Sequence, residues 1–211
     1  MTKANKERIL AFLDKEYSDA KGELEYTKDY ELLIAVVLSA QSTDVAVNNV
    51  TRKLFAKYPT FESLLNVKEA QLAAYFKTLG LYRNKAKHVY NLIHLLNEHH
   101  NGVVLSAKEE LLKLPGVGVK TANVVRAELF NIPEIAVDTH VSRIARRLGF
   151  AKFSDDVTII EEKLRKVLPK ERYIKTHHQM IHFGRYFCKA QSPLCKKCPL
   201  VDICKEPNKK L

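Results

Sequence analysis

Residues 111–125 read LLKLPGVGVKTANVV, and the punctuation inside this stretch decides how the rest of the chain is read. A short apolar helix runs up to Pro115, Gly116-Val117-Gly118 makes a turn, and a new helix opens near Val119. Two glycines two apart allow positive φ and carry no side chain, so backbone N–H groups and the start of the new helix can face an anion at close range. A DNA phosphate is such an anion. On the glycines alone an ordinary turn between helices reads better. Leu114-Pro115 before them and Lys120-Thr121-Ala122 after them make the string longer and more particular.

Working outward, helical periodicity continues on both sides. Val89, Leu92, Ile93 and Leu96 form one apolar stripe, and Ile160, Leu164 and Val167 form another, while alternating strand patterns are scarce. Asn101-Gly102 closes the first stripe; Ser154 precedes the second and Pro169 follows it. The pattern predicts an all-α protein of about ten helices, near residues 4–18, 28–41, 43–57, 68–78, 84–99, 107–113, 119–130, 139–148, 155–167 and 171–187. No repeat or low-complexity linker interrupts them.

Lys and Arg outnumber Asp and Glu by 35 to 24, a formal net charge of +11. Such an excess is the usual electrostatic footprint of a polyanion binder; a merely basic protein shows it too, and on charge alone nucleic acid stands only slightly ahead. No apolar run reaches the roughly 20 residues of a membrane span, and the start, MTKANKERILAFLDKEY, holds acidic residues that a signal or transit peptide avoids. The expectation is a cytoplasmic or nucleoid-associated protein with no membrane partner.

Two residues suggest chemistry. Lys120 falls in the first turn of the second hairpin helix, where the helix dipole, and any burial, favour a neutral amine that can attack carbon and form a Schiff base. From charge and position alone, a further phosphate contact is the better reading. Asp138 stands in IAVDTHVSRIARRLG just before a helix striped by Val141, Ile144, Ala145 and Leu148 and ended by Gly149. An N-cap is its common use there, and a carboxylate held ionised at a helix start can also accept a proton or stabilise a developing cation. His140 either lines a pocket or hydrogen-bonds backbone. Arg143 and Arg147 either meet phosphate or are solvated helix charges.

Cys188, Cys195, Cys198 and Cys204 are the only cysteines, spaced Cys-x6-Cys-x2-Cys-x5-Cys. A disulfide framework would spread them along the chain, so a metal site reads better. Structural zinc usually shows two short Cys-x2-4-Cys knuckles and only Cys195 to Cys198 qualifies; the uneven spacing suits a cubane. Lys189, Lys196 and Lys197 in the loop read as a DNA-facing surface or, equally, as a solvated face.

LPGVGVKTANVV, IAVDTHVSRIARRLG and the terminal four-cysteine loop, together with LSAQSTDVAVN and GLYRNKAKH, resemble the endonuclease III family over essentially the whole chain. The resemblance implies a base-excision-repair DNA glycosylase with apurinic/apyrimidinic (AP) lyase activity, acting as a monomer on duplex DNA that carries damaged pyrimidines or AP sites. It implies Lys120 as the Schiff-base nucleophile, Asp138 as the essential carboxylate and a [4Fe–4S] cluster on the four cysteines. It also implies a DNA contact surface of Gln41, Leu81, Gly116, Gly118, Val119, Thr121, His140 and Arg143, in which Gln41 fills the space left by a flipped nucleotide and Leu81 wedges the opposite strand. Without it, Leu81 would read as core and Gln41 as a helix terminator. Two helical lobes are expected: residues 22–132, a six-helix lobe with the helix-hairpin-helix at about 108–127, and residues 1–21 with 133–211, the cluster lobe. The related adenine glycosylase would lack Lys120 and carry a further C-terminal domain, whereas this chain ends at Leu211. A non-catalytic hairpin module would not need the Lys120 and Asp138 pair, and a ferredoxin-like carrier would leave most of the chain unexplained.

Overall fold

The computed structural model describes all of residues 1–211 and is helical throughout, without a strand. Two compact units divide the chain, one of Glu23–Phe130 and one of Met1–Gly22 with Asn131–Leu211. No helix is long and apolar enough to cross a membrane.

The first unit is built around α2 (Asp29–Leu38), in which every residue from Tyr30 to Leu38 is buried. A helix apolar on all sides has no solvent face and must be wrapped. The wrapping is done by α3 (Asp44–Lys57), α6 (Tyr82–His100) and α8 (Val119–Phe130), which all pack against α2. Between them run α4 (Phe61–Leu65), α5 (Glu69–Tyr75) and α7 (Lys108–Lys113). The stripe Val89, Leu92, Ile93 and Leu96 lies buried on α6 as its period requires. That helix ends where expected, with Asn101 in the left-handed region and the Gly102 N–H bonded back to Leu96 O, a Schellman closure. The sequence reading passes over α4, because five residues show no period. A reciprocal cap holds it: Ser63 N–H donates to Thr60 Oγ1 at 3.2 Å, and Thr60 N–H to Ser63 Oγ at 3.1 Å.

The second unit packs α1 (Lys3–Glu16) and α9 (Thr139–Arg147) against α11 (Tyr173–His182), with α10 (Val157–Val167) against α9. Its core holds Ile9, Leu13, Val141, Ile144, Leu148, Ile160, Leu164, Met180 and Phe183. Asp156, not the Ser154 of the sequence reading, starts α10, its side chain accepting from Ile159 N–H at 2.9 Å. Beyond α11 the chain widens into a single π-helical turn, Phe183–Phe187, and the Cys188 N–H reaches back five residues to Phe183 O at 2.7 Å. Gly184 permits that turn to lie against α9: a Cβ there would come within 3.2 Å of His140 Cβ and Ile144 Cγ1.

The two hairpin glycines do different work. Gly116 has φ +80° and a Cβ on it would meet Val37 Cγ1 at 2.9 Å and His88 Cβ at 3.1 Å, so it is the packing glycine that seats the hairpin on α2 and α6. Gly118 has nothing within 4 Å of its Cβ position, so a side chain there would meet open space, although both glycines are exposed. Gly116→Ala is expected to lower the unfolding free energy by about 2 kcal/mol or more, because a left-handed alanine costs about 1–2 kcal/mol before any clash. Gly118→Ala is expected to cost under about 1 kcal/mol, the difference between glycine and alanine at a helix cap. Urea midpoints measure both, and equal losses would refute the division of labour.

Candidate functional site

In the Glu23–Phe130 unit, α7, the Leu114–Gly118 turn and α8 form the hairpin. Pro115 cannot continue α7; the Val117 N–H donates to Leu114 O at 3.1 Å, and Ala122 N–H to Gly118 O at 2.9 Å as the first turn of α8. An α-helix cannot bond the first N–H groups from within, so those of Val119, Lys120 and Thr121 point outward past Gly118. Gly118, Val119 and Lys120 are exposed and Thr121 is half-buried. Lys120 therefore stands at the surface of the hairpin with its amine accessible. The burial that the sequence reading allowed for is not present.

On the same unit, Gln41 and Leu81 are both exposed, and both have left-handed backbone without being glycine, at φ +53° and +56°. Left-handed residues with a side chain cost energy and persist where the surroundings hold them. Leu81 is 59% exposed, too open for a core residue. A Cβ on Gly80 would lie 3.6 Å from the Gln41 carbonyl oxygen, so the two segments are neighbours.

In the other unit, Asp138 caps α9. Its Oδ1 accepts from the Val141 N–H at 2.7 Å, leaving Oδ2 outside the cap. His140 is half-buried, and its Nδ1 lies 3.2 Å from Arg143 Nη2. Burial, then the neighbouring Arg143 and Arg185 charges, pushes the His140 pKa down against the pull of Asp138, which favours a neutral ring. Arg143 was expected beside phosphate, but its guanidinium is engaged within the protein. Nη2 donates to Gly184 O at 2.6 Å and Nε to Cys188 O at 3.1 Å, tying α9 to the π-turn.

Arg147, read from sequence as a phosphate contact or a solvated charge, is buried instead. Its Nε pairs with Glu206 Oε2 at 2.6 Å, and its Nη1 donates to Lys189 O at 2.8 Å and to Cys188 Sγ at 3.3 Å. The clue was its place three residues after Ile144, one turn along the apolar stripe.

The four cysteines form no disulfide. They line one cavity, with Phe187, Pro193, Leu194 and Val201 as apolar wall and Arg147 and Glu206 as polar neighbours. The Glu206 N–H lies 3.4 Å from Cys204 Sγ, a second N–H···S bond beside that of Arg147. Burial pushes the Cys198 thiol up, and the other three sulfurs push it further. Four thiolates so placed call for metal charge to hold them, and N–H···S bonds are the usual support of such ligands. Lys189, Lys196 and Lys197 are exposed around the cavity.

Residues 34–170 match the family model of the HhH-GPD superfamily base excision DNA repair proteins. Endonuclease III of Bacillus subtilis (strain 168) is 48% identical over 194 residues, covering 92% of this chain and 89% of that protein. Endonuclease III of Escherichia coli (strain K12) is 43% identical over 209 residues, covering 99% of each. Among solved structures, a trapped endonuclease III–DNA covalent intermediate superposes with a TM-score of 0.93 at 49% identity, over 98% of this chain and 97% of that one. A thermostable thymine-DNA glycosylase shares the fold at a TM-score of 0.81 and 20% identity. With its hairpin and its capping aspartate inside the family match, and relatives such as the Escherichia coli protein aligning over 99% of its length, the chain belongs to the HhH-GPD superfamily of base excision DNA repair proteins and, within it, to the endonuclease III family.

Proposed function

We propose that this chain is a bifunctional DNA glycosylase and AP lyase that removes damaged pyrimidines from duplex DNA and breaks the strand 3′ to the resulting site. The observation that carries the reading is Lys120: an accessible primary amine in the first turn of α8, directly beyond the open Gly118. The strong likeness to a protein trapped as a covalent DNA intermediate points the same way.

The steps follow from the groups present. The outward N–H groups of Val119, Lys120 and Thr121 and the space beyond Gly118 receive backbone phosphate, which positions the duplex without reading its sequence. The damaged nucleotide leaves the stack, with Gln41 filling the vacancy and Leu81 wedging the partner strand. Lys120 Nζ then bonds to C1′ as the C1′–N bond breaks, and the base departs with the bonding electron pair and takes up a proton. Opening of the sugar gives an imine between Nζ and C1′. Loss of a C2′ proton expels the 3′ phosphate, and water hydrolyses the imine to restore the amine. Asp138 serves this sequence through Oδ2, accepting the amine's proton or stabilising positive charge on the sugar, while Oδ1 keeps the cap. His140 and Arg143 shape the start of α9 from within.

The thiolate cavity fits a [4Fe–4S] cluster, held by Cys188, Cys195, Cys198 and Cys204. When bound, it cross-links the C-terminal loop and supplies cationic charge to the four sulfurs. Arg147 holds the first ligand's backbone and sulfur, and Glu206 neutralises Arg147. Metal analysis of anaerobically purified protein should find about four iron and four sulfide per chain; stoichiometric zinc without iron would contradict this.

On duplex DNA containing thymine glycol, the wild-type protein should release the base and leave a strand nicked 3′ to the lesion, read on a denaturing gel. Asp138→Asn keeps a capping side chain and loses the charge, so folding should survive and the rate should fall by about 10²–10⁴. Failure of the wild type on every oxidised pyrimidine and AP site, with excision of adenine opposite 8-oxoguanine, would replace this reading with that of an adenine glycosylase.

A further inference from the structure

Lys85 lies in the second turn of α6, four residues beyond Leu81, and is only 4% exposed. Its Nζ donates to Ser42 Oγ at 2.7 Å, and no carboxylate pairs with it. Burial alone pushes its pKa below the ordinary lysine value. A buried ammonium held by a single hydroxyl is costly, and replacing such a charge by an apolar side chain of similar volume is often neutral or stabilising. Stability therefore does not explain the lysine.

Its location does. Ser42 follows Gln41, and its N–H closes the turn onto Ser39 O at 3.0 Å. The hydrogen bond from Lys85 thus ties the turn that carries Gln41 to the helix whose first turn is entered through Leu81. Both of those residues are exposed and in left-handed backbone, and Gly80 brings the Gln41 carbonyl against the same strand of chain. Leu81, as the residue entering α6, has no side-chain cap to fix it. The partly buried Lys85–Ser42 bond clamps the two segments together.

We propose that Lys85 is a positioning residue for nucleotide extrusion: clamped to Ser42, it holds Gln41 and Leu81 in their left-handed conformations as one preformed wedge. The proposal rests on the assignment of Gln41 and Leu81 to duplex opening made above. Lys85 itself touches neither the base nor the sugar. Its removal leaves Lys120 and the hairpin in place and loosens the two side chains that must enter the stack.

The test compares two substrates of one protein, an oxidised pyrimidine that is stacked and an AP site that has no base to unstack. Lys85→Met should lower single-turnover base release from a thymine glycol duplex about tenfold to a hundredfold, the scale of a misplaced positioning group. Cleavage of the AP-site duplex should fall less than about threefold, because extrusion costs least where no base is stacked. The melting temperature should stay level or rise. Ser42→Ala, which needs no change in α6, should show the same split between substrates with a lower melting temperature, since it leaves the ammonium buried and unpaired. The double variant should lose no more activity than Lys85→Met alone, as expected when both act through one bond.

Parallel losses on both substrates with a lowered melting temperature would make Lys85 a merely structural residue and overturn the proposal. A flatter salt dependence of DNA binding in Lys85→Met, by about one phosphate contact, would mean that the ammonium meets phosphate, and would overturn it too. Full activity of both variants would sink the clamp while leaving the enzyme reading intact; a wild type inactive on both substrates would instead sink the enzyme reading.

Discussion

The first N–H groups of an α-helix have no partner inside it, and a folded chain must bond them, expose them or give them to a ligand. Three helix starts in this protein answer that constraint in three ways, and the proposed chemistry sits on all of them. At α9 the donor is satisfied internally, by Asp138 Oδ1, which fixes the carboxylate and leaves its other oxygen for work. At α8 the donors face outward beyond Gly118, where no side chain intervenes, and Lys120 rides in the same turn. At α6 the entering residue is Leu81, left-handed and exposed, with no side-chain cap. Each start is exact because the helix behind it is anchored: α6 and α8 on the buried α2, and α9 on α11.

Two of the charges that the protein buries hold neighbouring segments in place. Lys85 sits one turn into α6 and Arg147 at the end of α9, tied to the backbone of the cysteine loop. Burying either costs desolvation that a well-packed apolar residue would not. Arg147 offsets its cost with a carboxylate, carbonyl oxygens and a sulfur, so it works as a bracket for the loop. Lys85 has only a hydroxyl, so the remaining cost is a sign of use. Gly184 and Arg143 complete the bracket from the other side, one by leaving room for α9 and the other by spanning to the π-turn.

Much of the fold was legible because periodicity and punctuation agree along the chain. The α6 stripe, its Asn101-Gly102 close and the hairpin turn all stand where their residues place them. Short α4 was not legible, since its stability comes from a reciprocal cap rather than from a period. The two hairpin glycines look alike in sequence and differ in what lies beside them, Val37 and His88 for one and open space for the other. Arg143 and Arg147 looked like surface charges because composition favours that reading, although the spacing of Arg147 from Ile144 pointed inward. Lys85 also carried a visible signal: it precedes Val89 by four residues and so belongs to the buried stripe, where a lysine is out of place.

The account turns on which atom of the protein bonds to the sugar. Borohydride reduces an imine to a stable amine, so a complex formed with an AP-site duplex in its presence can be digested and its cross-linked peptide sequenced by mass spectrometry. The account predicts that the deoxyribose remnant is found on Nζ of Lys120, in the peptide that opens α8, and that Lys120→Ala yields no such adduct while still binding the duplex. A remnant on any other amine, or undiminished trapping by Lys120→Ala, would contradict it.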